Sequence, residues 1–405
     1  MLAAYLVILY ALALPYVGLM GLAFAGLFRR GLDPHTRRRP SVSVIIPAHN
    51  EERDLAPTLA SLSAQRYPGD AEFVVVDDRS SDGTAEVIRA AAARDDRIRM
   101  VRVEAPDRRL SPKVNAVDHG IHASSGEIIV TSDADCRYPD GWLEGMVGHF
   151  APGVTMVVGY VETTRAGAVG RWLHRFETID WLSLMLVSRS LTRFGWKFAS
   201  SANNQAYRRD AFEAAGGFGA IGRAPSGDED LLTQRLGRLP GSRIAFASRP
   251  EVRVLTQPVA SWRQLYQQRR RWVSRYHHVM HYHPGFLASI AVLGFQSVLL
   301  AAGVAAVPFV PELAPWLVGL WAAELALEVG GVAVGARQLG RRDLIGPGLV
   351  GWALLHPFFI AAIVIGSLVR SGAWHAGAEP YRMRWWQRRW REWRRRLRSP
   401  RPRNP

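Results

Sequence analysis

The chain has 405 residues, 48% of them hydrophobic, and a formal net charge of +16. This length allows one large or two ordinary domains, and composition alone does not decide between them. Cys136 is the only cysteine, which excludes an intrachain disulfide and suits a reducing compartment. A basic chain can bind nucleic acid, but here residues 381–405 carry eleven arginines against one glutamate and follow an apolar segment. The charge therefore favours a membrane surface over nucleic acid.

The N-terminal segment, residues 2–28, contains no charged side chain and is long enough to cross a bilayer. A cleaved signal peptide is the alternative, but the apolar stretch is too long and no basic region precedes it. Arginines follow directly at positions 29, 30 and 37–39. By the positive-inside rule, we expect the next domain to lie in the cytoplasm, anchored to the cell (inner) membrane.

Residues 41–255 have the composition of a soluble domain in which strand and helix patterns alternate. The runs "SVSVIIPA", "AEFVVVDD" and "EIIVTSDAD" are β-branched and end in polar residues, as strands do. The helical segments "AEVIRAAAARDD" and "SPKVNAVDHGIHASS" fall between them. This order predicts an α/β fold with a mostly parallel, helix-covered sheet. Three further candidate membrane spans follow at 285–310, 312–336 and 344–369.

Two carboxylates stand at the end of the third predicted strand. Asp133 and Asp135 are two residues apart, so on an extended chain both would point to the same side at the carboxyl end of the strand. Open α/β sheets bind ligands at that edge. A single Asp would suggest only a turn, but two converging carboxylates suit Mg²⁺ or Mn²⁺ that is also held by phosphate oxygens.

The second predicted strand also ends in carboxylates, Asp77 and Asp78, beside the exit of the first strand, where Glu51 lies. Carboxylates that share one crevice repel each other, so cations and hydrogen-bond donors are needed near them. Lys113 is a candidate for the fixed positive charge, although a helical lysine is more often a solvated surface residue. Asp82, in the turn that follows, is better explained as a helix cap.

Seven motifs together resemble the family 2 glycosyltransferases with a GT-A fold, in order and in approximate spacing. They are "VSVIIPAHNEE", "VVVDDRSSDGT", "SPKVNAVDHGI", "VTSDADC", "SSANNQAYRRDAFEAAGGF", "SGDEDLLTQRL" and "QRRRW". The resemblance is to the membrane-bound branch that includes cellulose, chitin and hyaluronan synthases and ceramide glucosyltransferase. It covers residues 41 to about 280.

The resemblance implies a role for each matching residue. Asp78, with Asp77 and Glu51 nearby, matches the positions that hold the base and ribose of the nucleotide, and Lys113 matches the lysine on the diphosphate side. Asp133 and Asp135 match the D-x-D motif, whose second carboxylate reaches the metal ion. The implied cofactor is Mg²⁺ or Mn²⁺, which neutralises the departing nucleoside diphosphate.

The resemblance also places the general base at Asp228, in "SGDEDLLTQRL". The glutamate that usually precedes this base is replaced by Gly227, so Glu229 and Asp230 remain possible substitutes. An acidic run of this kind would otherwise be read as a helix N-terminus, where carboxylates favour the helix dipole.

Residues 256–284 are predicted to form an interfacial helix, because aromatic and aliphatic residues recur at helical spacing with arginines between them. Gln268, Arg271 and Trp272 match the Q-x-x-R-W motif, which implies a role in closing over the donor diphosphate and bordering the acceptor. The alternative is an interfacial helix with no site role. A metal site at the neighbouring histidines is disfavoured: His277, His278, His281 and His283.

Two more segments leave alternatives open. Residues 170–196 are unusually apolar and belong either to the core or to an acceptor groove that faces the bilayer. Residues 381–405 carry tryptophans at helical spacing and form either an amphipathic anchor or a disordered basic tail. Because these arginines favour the cytoplasm, we expect one of the C-terminal segments not to cross the membrane. The best candidate is 344–369, because Gly346-Pro347-Gly348 and His356-Pro357 would interrupt a spanning helix.

The sequence thus predicts an inverting, metal-dependent hexosyltransferase. It would transfer a hexose from a nucleotide sugar, expected to be a UDP-sugar, to a membrane lipid or lipid-linked glycan. A processive polysaccharide synthase and a nucleotide-binding pseudoenzyme are the alternatives. Nucleic acid is not an expected partner.

Overall fold

The computed structural model describes residues 2–31, 36–105, 107, 110–164, 170–197, 201–223, 228–273 and 283–368. Within these ranges the side chains of four residues are outside the description: Ala220, Arg223, Asp228 and Leu368. The predicted amphipathic tail, residues 381–405, lies beyond the described residues.

Strands and helices alternate through the first half of the chain, and after β9 the described residues contain only helices and their connections. The strands are β1 (Val42–Ala48), β2 (Ala71–Asp77), β3 (Ile98–Arg102), β4 (Ile128–Thr131), β5 (Val154–Gly159), β6 (Val161–Thr163), β7 (Gln205–Arg208), β8 (Arg243–Ala247) and β9 (Val254–Thr256). The helices are α1 (Leu2–Phe28), α2 (Leu55–Ser63), α3 (Thr84–Ala92), α4 (Pro112–His122), α5 (Trp142–Val147), α6 (Arg171–Arg193), α7 (Arg209–Ala214), α8 (Asp228–Gly237), α9 (Trp262–Val273), α10 (Pro284–Ala306), α11 (Ala314–Gln338) and α12 (Pro347–Leu368).

Seven strands form the main sheet in the order β3-β2-β1-β4-β7-β5-β8. All neighbouring pairs are parallel except the two made by β7, which runs antiparallel to β4 and β5. The predicted α/β class with a mostly parallel sheet is therefore confirmed. The chain builds β1, β2 and β3 outward in one direction and then returns to place β4 on the other side of β1. The crevice between the carboxyl ends of β1 and β4 is thus the switch point of the sheet, where such folds bind ligands.

Both faces of the sheet are covered, which explains why its central strands are continuously hydrophobic. Alternate residues of one strand enter different cores: Val74 and Val76 of β2 lie in one core, while Phe73 and Val75 lie in the other. All four side chains are fully buried. The first of these cores also contains residues from α1, α6, α11 and α12.

Helix α6 lies between the sheet and the long apolar helices, and most of its side chains are buried. Small residues allow the close approach: a methyl group added at Gly335 of α11 would meet Leu186, and one added at Gly26 of α1 would lie 2.7 Å from Cβ of Ser190. The apolar segment 170–196 is therefore largely a core element, although Trp172 and Leu184 of α6 remain exposed.

Among the described residues, four helices are long and apolar enough to cross a membrane, starting with Leu2–Phe28 at the N-terminus. The expectation that 344–369 would be interrupted is wrong: α12 runs from Pro347 to Leu368 with Pro357 inside it. Pro347 lies in the first turn of α12, where a backbone N–H makes no hydrogen bond within the helix, so proline costs none there. Gly346 before it has a φ of 149°, which suits glycine.

Candidate active site

The first part of the site lies where β1 and β2 end side by side. Ala48 and Asp77 are register partners, and the N–H of Asp78 donates to the carbonyl of Ala48 at 2.8 Å. Asp77 is fully buried; its Oδ1 accepts from the N–H of Ser80 at 2.9 Å, whereas its Oδ2 accepts no hydrogen bond within the described part of the chain. Buried carboxylate oxygens are normally hydrogen-bonded, and Nε of Arg102 lies 3.9 Å from this one, near enough for an ion pair but too far for a hydrogen bond.

Asp78 is held by a residue that sequence reasoning missed. Nε and Nη2 of Arg79 donate to Oδ1 of Asp78 at 2.8 and 2.6 Å, and Arg79 has a φ of 58°, in the left-handed region. Burial raises the pKa of Asp78, and the hydrogen bond and charge of Arg79 oppose that rise. The sequence feature that could have identified Arg79 is its position directly after the Asp77-Asp78 pair.

The loop after β1 is fixed against the start of α3. The N–H of Glu51 donates to Oγ1 of Thr84 at 2.7 Å, and the Glu51 side chain is 8% exposed. Asp82 accepts from both the N–H and the Oγ1 of Thr84, at 3.1 and 2.5 Å, so it acts in capping this helix end. Glu51 therefore lies on the same rim of the sheet as Asp77 and Asp78.

Lys113 and Asp133 form an ion pair across the switch point. Lys113 is in the first turn of α4, and its Nζ lies 2.7 Å from Oδ1 of Asp133 in the loop after β4. The side chains are 35% and 25% exposed, so both remain accessible to a ligand. The N–H of Ser111, just before α4, donates to the carbonyl of Gly222 at 2.6 Å and fixes the helix start.

The expectation that Asp133 and Asp135 point to the same side of an extended strand is wrong. Strand β4 ends at Thr131, and the N–H of Cys136 donates to the carbonyl of Asp133 at 3.3 Å, so the pair lies in a turn. Asp135 is 8% exposed, and its Oδ2 accepts from Oγ1 of Thr256 in β9 at 3.2 Å. Thr256 was missed because it is distant in sequence from every motif.

The side chains around this pair matter because metal ions in proteins require sets of several ligands. Among the residues that the structure describes, no group of three or more His, Cys, Asp or Glu side chains is placed to hold an ion. The neighbouring Cys136 is fully buried, and burial raises the pKa of its thiol, which makes a thiolate ligand unfavourable.

Asp228 is the first residue of α8, and its side chain lies outside the described part. Glu229 and Asp230 follow in the first turn of the same helix and are half-buried. The acidic run thus occupies a helix N-terminus, where carboxylates interact favourably with the helix dipole.

Helix α9 carries Gln268, Arg271 and Trp272, and it ends at Val273 within the described residues. Gln268 and Trp272 both contact Arg269, which the motif does not include: Oε1 of Gln268 accepts from Nη1 of Arg269 at 2.5 Å, and the guanidinium lies 4.1 Å from the Trp272 ring centroid. Arg271 is exposed. The predicted bounds 256–284 are wrong at the start, because Thr256 belongs to β9 and α9 begins only at Trp262. Residues 274–282 lie outside the description, and so do three of the four histidines. His283 caps α10 by accepting from the N–H of Gly285.

Comparison with known proteins assigns the class. Residues 43–216 match the model of glycosyl transferase family 2. The chain is 31% identical over 246 residues to a probable glycosyltransferase, YdaM of Bacillus subtilis, covering 58% of this chain and 54% of that protein. It is 29% identical over 241 residues to the beta-monoglucosyldiacylglycerol synthase of Trichormus variabilis, covering 58% and 48%. The chain spans about half the length of these curated relatives.

A solved structure shows the same fold. The mannosyltransferase PcManGT of Pyrobaculum calidifontis, in complex with GDP-Man and Mn²⁺, superposes with a TM-score of 0.57 at 21% identity, over 92% of this chain and 100% of that one. The fold is that of a GT-A enzyme joined to apolar helices that indicate membrane association. Residues 43–216 are therefore a glycosyl transferase family 2 domain, and the chain is similar in sequence to proteins named as glycosyltransferases.

Proposed function

We propose that the protein is an inverting, metal-dependent hexosyltransferase that uses a nucleotide sugar, a UDP-sugar, and a membrane lipid or lipid-linked glycan as acceptor. The observation that carries this proposal is the ion pair between Lys113 and Asp133 at the switch point of the sheet. The pair supports the proposal because Lys113 would meet a diphosphate and Asp133 would bind a metal ion, at the edge where α/β sheets bind nucleotides.

The nucleoside is held by the rim formed by Asp77, Asp78 and Glu51. Oδ2 of Asp77 is buried without a hydrogen-bond donor among the described residues, so a donor on the base or ribose would satisfy it. Asp78 is fixed by Arg79 and offers its remaining oxygen to the ligand. These contacts orient the donor without taking part in bond breaking.

Asp133 and Asp135 would hold Mg²⁺ or Mn²⁺. Their hard carboxylate oxygens fit either ion, since both prefer oxygen ligands. When bound, the ion supplies positive charge that stabilises the leaving diphosphate. The solved mannosyltransferase, which is in complex with GDP-Man and Mn²⁺, supports a divalent ion in this fold.

The chemical step assigned to this chain is a proton transfer. Asp228 removes the proton of the acceptor hydroxyl as that oxygen attacks the anomeric carbon from the side opposite the diphosphate, so the configuration inverts. Lys113 stabilises the charge that develops on the leaving diphosphate. Glu229 and Asp230 are the alternatives for the base, and Gln268, Arg271 and Trp272 border the donor and the acceptor.

A lipid acceptor is supported by the apolar helices and by relatives. One relative is named a beta-monoglucosyldiacylglycerol synthase, and another, from Pseudomonas paraeruginosa, an undecaprenyl-phosphate 4-deoxy-4-formamido-L-arabinose transferase. The arginines after α1 favour an inner-membrane location with the GT-A domain in the cytoplasm.

The test is an incubation of purified membranes containing the full chain with a panel of radiolabelled nucleotide sugars, followed by lipid extraction and mass spectrometry. One labelled sugar per lipid supports the proposal. A polymer of many sugars identifies a processive synthase instead. Tight nucleotide binding with no transfer from any donor identifies a pseudoenzyme.

A further inference from the structure

A buried ion pair joins α6 to α9 at Arg269, the residue that follows Gln268 of the Q-x-x-R-W motif. Nε of Arg269 donates to Oδ2 of Asp180 at 2.6 Å, and the two side chains are only 6% and 4% exposed. Removing two charges from water is costly, and burial without a partner is costlier still. The pair therefore fixes α9 on α6 with one defined geometry.

Arg269 in turn organises the residues on either side of it. Its Nη1 donates to Oε1 of Gln268 at 2.5 Å, and its guanidinium carbon lies 5.1 Å from the ring centroid of Trp181 and 4.1 Å from that of Trp272. The rings of Trp181 and Trp272 also meet edge to face at 5.0 Å. Two of the three Q-x-x-R-W side chains are thus placed by Arg269, and Arg269 is placed by Asp180.

The other oxygen of Asp180 faces the apolar helices. Its Oδ1 lies 3.9 Å from Nε2 of His356 in α12, whose Nδ1 lies 2.9 Å from Oε1 of Glu328 in α11. That carboxylate also accepts from the hydroxyl of Tyr16 in α1 at 3.0 Å. Ionisable side chains within membrane helices are expensive and mark function more often than packing.

We propose that Asp180 is a positioning residue, which couples the Q-x-x-R-W helix to the membrane helices. The chain Arg269–Asp180–His356–Glu328–Tyr16 links five helices: α9, α6, α12, α11 and α1. Its effect is to hold Gln268 and Trp272 at a fixed height above the bilayer, where the donor and a lipid acceptor meet. The consequence for turnover rests on the proposed function, whereas the mechanical coupling does not.

The coupling is tested by hydrogen–deuterium exchange of the full chain in lipid nanodiscs. Asp180→Asn removes the charge while keeping the shape, and we expect backbone amides of α9 to exchange at least tenfold faster, with α2 and α3 unchanged. Asp95→Asn is the matched control, because Asp95 also pairs with an arginine, Arg97, but far along the sheet from α9. Unchanged exchange of α9 in Asp180→Asn would overturn the proposal.

A double variant separates positioning from folding. Asp180→Asn alone leaves the buried charge of Arg269 without its ion-pair partner. Asp180→Asn with Arg269→Gln removes both charges and should recover the yield of folded protein. We expect kcat of the double variant to stay at least tenfold below wild type with the donor KM within threefold. A double variant with wild-type kcat and wild-type exchange of α9 would show that the pair only supports folding, and would sink the proposal even if Asp180→Asn fails to fold.

His356→Gln tests the membrane end of the chain, since it leaves the Asp180–Arg269 pair intact. We expect α9 to exchange about threefold faster; wild-type exchange would refute the coupling to the membrane helices. The exchange measurements need no substrate. A wild-type protein inactive with every nucleotide sugar would therefore refute the proposed function while leaving these results to stand on their own.

Discussion

Nζ of Lys113 lies 2.7 Å from Oδ1 of Asp133, so each of these site residues neutralises the other when no diphosphate is bound. In the proposed function, a diphosphate that enters the crevice would draw Lys113 away from Asp133 and would leave Asp133 for the metal ion. The ion pair would then be the arrangement of the site before the donor binds.

Lys113→Met should weaken binding of a nucleoside diphosphate about tenfold, a loss of about 1.4 kcal/mol, because it removes a charge-assisted contact. Isothermal titration calorimetry with UDP in the presence of Mn²⁺ measures the change. Arg89→Met is the control, since Arg89 forms an exposed ion pair with Glu86 on α3. An unchanged Kd for Lys113→Met would remove the lysine from the diphosphate site.

Asp135→Ala should abolish the part of nucleotide binding that depends on Mn²⁺ or Mg²⁺, because Asp135 would hold the ion that neutralises the diphosphate. Thr256→Val removes only the hydroxyl that donates to Asp135 and should weaken metal-dependent binding by about threefold. Titration of each variant with metal at fixed UDP distinguishes the two. Full activity of the wild-type protein in excess chelator would contradict the metal hypothesis.

Asp228→Asn should lower kcat by about a hundredfold or more while leaving donor affinity nearly intact, because the base acts in the transition state. Single-turnover kinetics with labelled donor gives the rate, and Glu229→Gln and Asp230→Asn serve as neighbouring controls. If Asp228→Asn keeps wild-type turnover and one of the neighbours loses it, the base is that neighbour.

Glu177 makes stability depend on pH. It is buried on α6, accepts from the N–H of Val259 at 3.1 Å, and burial raises its pKa from 4.5 to about 7, against the opposing charge of Arg269. Between these values Glu177 binds more protons in the folded protein than in the unfolded chain. Its contribution to stability is therefore fully present below about pH 4.5 and is lost as the pH rises through about 7, a change of roughly 3 kcal/mol.

Glu177→Gln keeps an acceptor for Val259 and should remove this dependence, which thermal unfolding in detergent at several pH values measures. Glu213→Gln, at an exposed position on α7, should leave the slope of the wild type unchanged. A pH dependence that is the same in Glu177→Gln and the wild type would show that other groups cause it.

The sequence was most informative where strands are buried on both faces. β1, β2 and β4 could be predicted because their hydrophobic runs end abruptly in polar residues, and those ends supply the carboxylates at the crevice. β3 was missed because it is an edge strand, "IRMVR", whose second and last residues are exposed. Antiparallel β7 was missed because its four residues include only two hydrophobic ones, and its place in the sheet depends on neighbours far away in the chain.

The partners of the site residues were the harder part. The role of Arg269 depends on Asp180, 89 positions earlier, and nothing in the local pattern distinguishes Arg269 from the two arginines that follow it. Likewise, the continuation of α12 past Pro357 depends on tertiary packing, since Trp352 and Ala353 of the preceding turn are buried in the core shared with the sheet domain. Local rules for proline could not anticipate that support.

One of the two cores of the sheet domain also contains residues of α1, α6, α11 and α12, and this has a practical consequence for handling the protein. A fragment cut at either end of residues 41–255 would expose the apolar flank of α6 to water and would be expected to aggregate. The lipid environment is therefore part of the catalytic domain's own folding equilibrium, and bilayer thickness and composition should change its thermal stability as directly as a core mutation does.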